Sequence, residues 1–198
     1  HGEVAAVPVL LRRLRDEVGV FTVDVLPPIR QTRSQLAQKS SLQRVVQVAC
    51  LKVQGECATI LILFDSDDDC PKERAIEMQQ WASEVSRSIP CAVVMAVKEY
   101  EAWFLATMES LRGKAGIMDD AVSLDNPELV RGAKEAIERQ MMSGFSYKET
   151  IDQPALSAIF DMHTAYLKCR SFRKLVKSFG ELVLANEAGI QWPPANWM

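Results

Sequence analysis

The chain has 198 residues, 48% hydrophobic and 25% charged, with 9 Gly and 9 Pro. That balance excludes a disordered or fibrous chain and matches one globular domain burying roughly 70% of its unfolded surface. Its 23 Lys plus Arg against 26 Asp plus Glu leave a formal charge of −3, so the whole-molecule field does not steer toward nucleic acid, although a local basic groove or a bound divalent metal would still meet phosphates. The odd set of five cysteines contains no C-x-x-C pair, which argues against a secreted disulfide framework and for a reducing cytoplasm. No apolar run nears the ~18 residues of a membrane span, and no cleavable leader is expected.

Val4, Val7, Leu11, Leu14 and Val18 recur at steps of three and four, which predicts an amphipathic helix ended by Gly19. Val20 to Leu26 alternates as a strand would, and Pro27-Pro28 stops it. A polar stretch from Arg30 to Ser40 leads into a helix from about Leu42 to Val53, closed by Gly55. ATILILF (58–64) and CAVVMAV (91–97) are continuous apolar runs, as in parallel strands buried on both faces. Between them Ala75, Met78, Ala82, Val85 and Ile89 mark the inward stripe of a crossover helix, completing a βαβ unit. This order calls for an α/β fold: a three-layer sandwich with a mostly parallel sheet over residues 1–112, with a strand ahead of His1 completing the βα repeat. A helical portion over 113–198 follows it.

From Glu101 onward the pattern is helical. Glu101 to Leu111 comes first, then a loop from Gly113 to Asn126, with Asn126-Pro127 opening a helix to about Met142. Asp152 and Pro154 open another over Ala155 to Lys168. Phe172, Leu175, Val176 and Phe179 continue on a helix ending at Gly180, and the tail QWPPANWM is expected to pack Trp192 and Trp197 on the body.

Asp65-Ser66-Asp67-Asp68-Asp69 directly follows the first apolar strand, the place where open α/β sheets bind ligands. Four carboxylates this close repel one another unless a cation neutralises them or water solvates them. Their oxygens suit Mg²⁺, Mn²⁺ or Ca²⁺ better than zinc. The competing reading is a solvated acidic turn with Asp69 capping the next helix and Pro71 in its first turn. An EF-hand loop is rejected, because Cys70 and Ile76 stand where it needs Gly and Glu. A haloacid-dehalogenase-type phosphatase is a poor match at Asp69 and in strand position, and a nucleotide-sugar transferase has no support beyond its Asp-x-Asp.

Glu99 and Glu101 follow the second apolar strand, so two neighbouring strands deliver acids to one sheet edge, although Glu101 alone reads equally as an acid favouring the positive end of the next helix. Glu3 opens the first helix. Lys98, Arg30 and Arg33 are the cations to set against a phosphate. His163 falls on an apolar helix face and reads as a packing residue, as do Trp103 and Phe104. Neither a P-loop nor a Gly-x-Gly-x-x-Gly is present, so ATP binding is not indicated.

HGEVAAVPVLLRRL, LILFDSDDDCP and VVMAVKEYEAWFLA, in this order and spacing, resemble a prokaryotic family of TOPRIM-like proteins, domain of unknown function 4276, related to the nuclease module of overcoming-lysogenization-defect enzymes. Residues 1–110 carry most of the resemblance, and DQPALSAIFD and SFRKLV carry it more loosely. Such proteins open with a strand and Glu-Gly-x-x-Glu; His1 and Gly2 take the two variable places and Glu3 the second Glu, the first lying ahead of this chain. The resemblance implies an Mg²⁺- or Mn²⁺-dependent nuclease acting on nucleic acid phosphodiesters in prokaryotic phage defence. Catalytic residues would be Glu3, Asp65, Asp67 and Lys98, and metal ligands Glu3, Asp65, Asp67, Asp69, Glu99 and Glu101. It leaves room for a separately encoded ATPase and for a homodimer. Two alternatives stand beside it: a non-catalytic TOPRIM-fold module binding a metal or nucleotide, and a small-substrate phosphatase.

Overall fold

Helix α1 spans Glu3–Val18 in the computed structural model, which describes residues 2–184 and 190–197. His1 lies outside the described residues. Ala6, Leu10, Leu14 and Val18 form the buried stripe of α1, and Gly19, at φ 77°, closes it by donating its N–H to the carbonyls of Arg15 and Asp16. The expected strand over Val20 to Leu26 does not form. Its carbonyls turn back to α1, where Arg12 reaches Val25 O and Arg15 reaches Val23 O, both at 3.4 Å, and Phe21 and Leu26 are exposed. With its acceptors bonded to arginines and two prolines behind it, the segment offers no ladder to a sheet.

α2 (Arg33–Leu36) starts from a capping box: the Thr32 side chain accepts from Gln35 N while the Gln35 side chain accepts from Thr32 N. α3 covers Lys39–Lys52, β1 Ile60–Asp65, α4 Pro71–Ser86 and β2 Cys91–Ala96. The two strands are parallel, Ile60 opposite Cys91 through Asp65 opposite Ala96, joined by α4 as the apolar runs require. Among the described residues the sheet has these two strands alone. The protein is mixed α/β, with a much smaller sheet than expected. Side-chain alternation still sorts the faces. Ile60, Ile62, Phe64 and Val93 pack with Leu42, Val46 and Met78 of α3 and α4, and Leu61, Leu63, Val94 and Ala96 join the larger core with α1 and the later helices.

The later chain forms α5 (Ala102–Leu105), α6 (Met108–Leu111), α7 (Ala133–Glu138), α8 (Glu149–Ser157), α9 (Met162–Lys168) and α10 (Arg170–Val183). Three expected helices are each interrupted, and each break has a local cause. Between α5 and α6, the Thr107 hydroxyl donates to the carbonyls of Phe104 at 3.2 Å and Trp103 at 3.4 Å, competing with the helix's own donors. Asn126-Pro127 opens only a 3-10 turn, Pro127–Leu129. Its Glu128 carboxylate accepts from Arg170 N and Ser171 N at 2.9 and 2.8 Å, capping α10, and Gly132 at φ 69° separates it from α7. α8 begins at Glu149, with Pro154 inside it, and ends at Ser157, where the Arg13 guanidinium takes the carbonyls of Ser157 and Phe160, both at 2.9 Å. Asp161 then caps α9 by accepting from Thr164 N at 2.7 Å.

One aromatic assembly joins these helices to the sheet edge. Tyr100, Trp103, Phe104, Phe160 and Phe172 stand with neighbouring ring centroids 4.6–5.6 Å apart, each pair contributing about 0.5–1.5 kcal/mol beyond its area burial. Their polar tips are satisfied: Tyr100 Oη and Ser157 Oγ share a 2.8 Å bond, and Trp103 Nε1 donates to Ser171 Oγ at 2.8 Å. Trp103 and Phe104 are thus core, as expected. α10 runs past Gly180, whose carbonyl accepts from Leu184 N at 2.8 Å, and the missing side chain there makes room for Trp192; a Cβ would lie 1.9 Å from the indole Cδ1. Trp192 Nε1 donates to Val176 O at 2.7 Å and Trp197 is buried, so the tail packs on the body as its aromatics foretold. At the other end Gly2 is pressed against α8, where a Cβ would meet Gln153 Oε1 at 2.2 Å and Glu149 O at 2.3 Å.

Candidate functional site at the carboxyl edge of the sheet

The loops after β1 and β2 are laced together by backbone bonds. Ser66 N donates to Ala96 O at 2.8 Å, Asp67 N to Lys98 O at 3.1 Å and Lys98 N to the buried Ser66 Oγ at 2.9 Å. Asp65, the last residue of β1, accepts from Tyr100 N at 2.9 Å through Oδ1. This lacing holds Asp67 at φ 47° and Lys98 at φ 63°, left-handed conformations that cost a non-glycine residue about 1 kcal/mol or more and gather at functional edges.

The acids of this edge fall into two sets. The outer set is matched by the protein's own cations. Arg33 Nε lies 3.1 Å from Asp67 and its Nη2 2.7 Å from Asp69, and the same guanidinium donates to the carbonyls of Asp65 and Ser66 at 3.3 and 3.0 Å. Asp68 pairs with Lys98 at 3.1 Å and Arg131 at 2.7 Å, and the Lys98 hydrogen bond and the Arg131 charge hold its carboxyl below the usual range. α4 takes no side-chain cap; its N-cap is Cys70 with Pro71 behind it. The capping role considered for Asp69 is therefore replaced by the Arg33 pair.

The inner set is Glu3, Asp65 and Glu101. Glu101 is fully buried. Its Oε1 accepts from Tyr147 Oη at 3.0 Å and Gln153 Nε2 at 3.2 Å, while its Oε2 and Gln153 Oε1 are buried without a donor. Burial pushes its carboxyl up to about 7. Asp65 is raised well above its ordinary value by burial and then by the negative charges of Glu101 and Glu3. Lys134, ion-paired with Glu149, is the nearby counter-charge that lowers both. The edge therefore holds three acids from α1, β1 and the start of α5 within one another's field. Glu99 turns elsewhere, its Oε1 accepting from the N–H groups of Gly132 and Ala133 at 3.0 and 3.2 Å.

Of the expected ligands, the structure brings Glu3, Asp65 and Glu101 into mutual influence and commits Asp67, Asp69 and Glu99 to other partners. Among the described residues no three His, Cys, Asp or Glu side chains are already gathered as ligands of one ion. The inner trio is nonetheless an all-oxygen donor set that includes the orphaned Glu101 Oε2, and oxygen donors suit a hard divalent ion such as Mg²⁺ or Mn²⁺ in kind. Lys98 stands at the edge as expected, Arg33 ties the loop together, and Arg30 is exposed ahead of α2. His163 stacks on Trp197 with ring centroids 6.2 Å apart, the packing role read from its helix face.

Four residues of the edge, Arg131, Lys134, Tyr147 and Gln153, come from the helical half and carried no spacing signal. Of these, Arg131 joins the loops in a cleft of about 360 Å³ lined by Asp67, Asp68, Lys98, Glu99, Arg131 and Gly132. No helix among the described residues is long and apolar enough to cross a membrane.

No curated protein and no solved structure matches the chain. One family model does, the Domain of unknown function (DUF4276), over residues 1–179, which takes in α1, both strands and nearly all of the helices that complete the acidic edge. The chain belongs to this family.

Proposed function

We propose that the carboxyl edge of the sheet is a divalent-cation-dependent phosphodiester site and that the protein is a TOPRIM-type nuclease, its two strands part of a three-layer sandwich with helices on both faces. The observation that carries this is the inner trio: burial and then the charges of Glu101 and Glu3 raise the Asp65 carboxyl, burial raises that of Glu101, and the cleft at the same edge includes Lys98 and Arg131 in its lining. A fully buried carboxylate such as Glu101, with one oxygen left without a donor, is costly for a structural role alone and is relieved by a cation. Mg²⁺ or Mn²⁺ bound there would lend Lewis acidity to a phosphoryl oxygen and an activated water. Asp65 and Glu3 would hold the ion with Glu101. The Glu101 carboxyl, raised to about 7 by burial, would be the group whose proton a bound ion replaces. Lys98 and Arg131 would meet the phosphate charge. A nucleic acid is the substrate in this reading, with a separately encoded ATPase or a second copy as partner and the reducing cytoplasm as compartment.

The test is plasmid nicking with Mg²⁺ or Mn²⁺ by wild type, Asp65→Ala and Asp67→Ala. Asp65→Ala is expected to lose at least about 100-fold in rate, the order of a lost charge-stabilising group. Asp67→Ala is expected to lose less, since its carboxylate serves Arg33. Undiminished cutting in Asp65→Ala overturns the assignment. The pairing of Asp67, Asp68 and Asp69 with the protein's own cations favours a second reading, a module that binds the ion without cutting. Mn²⁺-dependent stabilisation without nicking would select it, and hydrolysis of an aryl phosphate would select a phosphatase.

A further inference from the structure

Asp68 is held in an unusual way. Arg131 approaches it side-on, Nη2 at 2.7 Å from Oδ1 and Nη1 at 3.4 Å from Oδ2, and Lys98 Nζ adds a third donor at 3.1 Å from Oδ1. A planar guanidinium presenting two N–H groups to two oxygens, with an ammonium beside it, is the arrangement that receives a phosphate. Asp68 and Arg131 are 68% and 74% exposed, and both line the cleft. Ion pairs this open contribute little to stability, so nothing in the fold requires this one to persist. Arg33 differs: it also holds the carbonyls of Asp65 and Ser66 and is part of the loop's construction. Lys98 is aimed by its left-handed backbone and by its bonds to Ser66 Oγ and Asp67 N.

We propose that Lys98 and Arg131 form a seat for a phosphodiester group and that Asp68 is its resident occupant in the free protein, displaced when substrate arrives. The exchange swaps one monoanion for another on the same three donors, and the released Asp68 carboxylate turns to solvent, where its 68% exposure already places it. Arg131 becomes a substrate-positioning residue contributed by the helical half, and Asp68 an internal competitor that sets how weakly stray anions are held. This deepens the phosphodiester reading and rests on it for the choice of phosphate. Its test is run in EDTA, so that a failure of metal-dependent cutting leaves it intact.

The full chain is titrated into a fluorescein-labelled single-stranded oligonucleotide, with anisotropy as the readout, for wild type, Asp68→Asn, Arg131→Ala, the double variant and Glu181→Gln. Glu181→Gln is a distant control of equal charge change. Asp68→Asn is expected to bind about 3–10-fold tighter at low salt and Arg131→Ala several-fold weaker. The salt slope of log K should fall by about 0.7 in Arg131→Ala, one strand phosphate contact. The double variant should bind like Arg131→Ala, because removing the competitor matters only while the seat exists. Inorganic phosphate as competitor separates the sources: displacement from Asp68→Asn at low millimolar concentration assigns a seat for phosphate itself, and none assigns one that takes the group within a strand. Equal tightening in Glu181→Gln, tightening that survives in the double variant, or no binding of either probe to Asp68→Asn overturns the proposal.

Discussion

Glu101→Gln probes the electrostatic state of the inner acids with almost no change of shape. In the folded protein the Glu101 carboxyl is pushed from its ordinary 4.5 up to about 7 by burial. Below pH 4.5 the group is protonated in both folded and unfolded chains and has no effect. Between 4.5 and 7 the unfolded chain sheds the proton that the folded one keeps, so stability falls as pH rises and levels off above 7. At about 1.4 kcal/mol per pH unit over that interval, the cost at pH 8 is about 3 kcal/mol. Glutamine carries no such cost. Urea unfolding in EDTA at pH 4.5, 6, 7 and 8 should therefore show a difference, variant minus wild type, growing from near zero to about 3 kcal/mol, or about 6–12 °C in Tm for a chain of this size. Relief of Asp65, whose carboxyl Glu101 helps raise, acts in the same direction. A difference that stays flat across this range, or that grows toward acid pH, would refute the buried-acid account of the edge.

Other perturbations test neighbouring parts of the argument. Millimolar Mn²⁺ should raise the Tm of wild type at pH 8 but not at pH 5, where the Glu101 carboxyl is protonated, and Asp65→Asn should abolish the shift in a thermal-shift assay. Arg13→Ala strips two charge-assisted donors from the end of α8 and is expected to cost about 2–4 kcal/mol by chemical denaturation. Gly180→Ala should cost about 1–3 kcal/mol and shift tryptophan emission to the red, because its methyl group takes the place of the Trp192 ring edge.

What was legible in the sequence was whatever local periodicity decides. Helix α1, the apolar runs of β1 and β2 and the crossover α4 between them all formed where their spacing put them, although α1 is turned from its expected stripe: Ala6 and Leu10 join Leu14 and Val18 inside, Val7 and Leu11 are only partly buried, and Val4 is exposed. What was not legible depends on partners far along the chain. Val20 to Leu26 alternates correctly, yet Arg12 and Arg15 reach its carbonyls before any strand does. The helix expected over Ala155 to Lys168 breaks where Arg13, some 144 residues upstream, takes the Ser157 carbonyl. The acidic edge divides in the same way. Asp65 and Glu101 were visible as carboxylates at strand ends, whereas the diversion of Asp67 and Asp69 to Arg33, and of Glu99 to the N–H groups of Gly132 and Ala133, is tertiary. Tyr147 and Gln153 are isolated polar residues in the helical half and announce nothing until the chain has folded back upon Glu101.

The wedging of Gly2 against α8, with Arg13 gripping the far end of that helix, also has a temporal consequence. A polypeptide still emerging from the ribosome, or one clipped before residue 147, carries Glu3, Asp65 and Glu101 without the phenol and carboxamide that bury the last of them. Glu101 stays hydrated until the latter half arrives. The buried state of that carboxyl is therefore completed only once the chain has been made as far as α8.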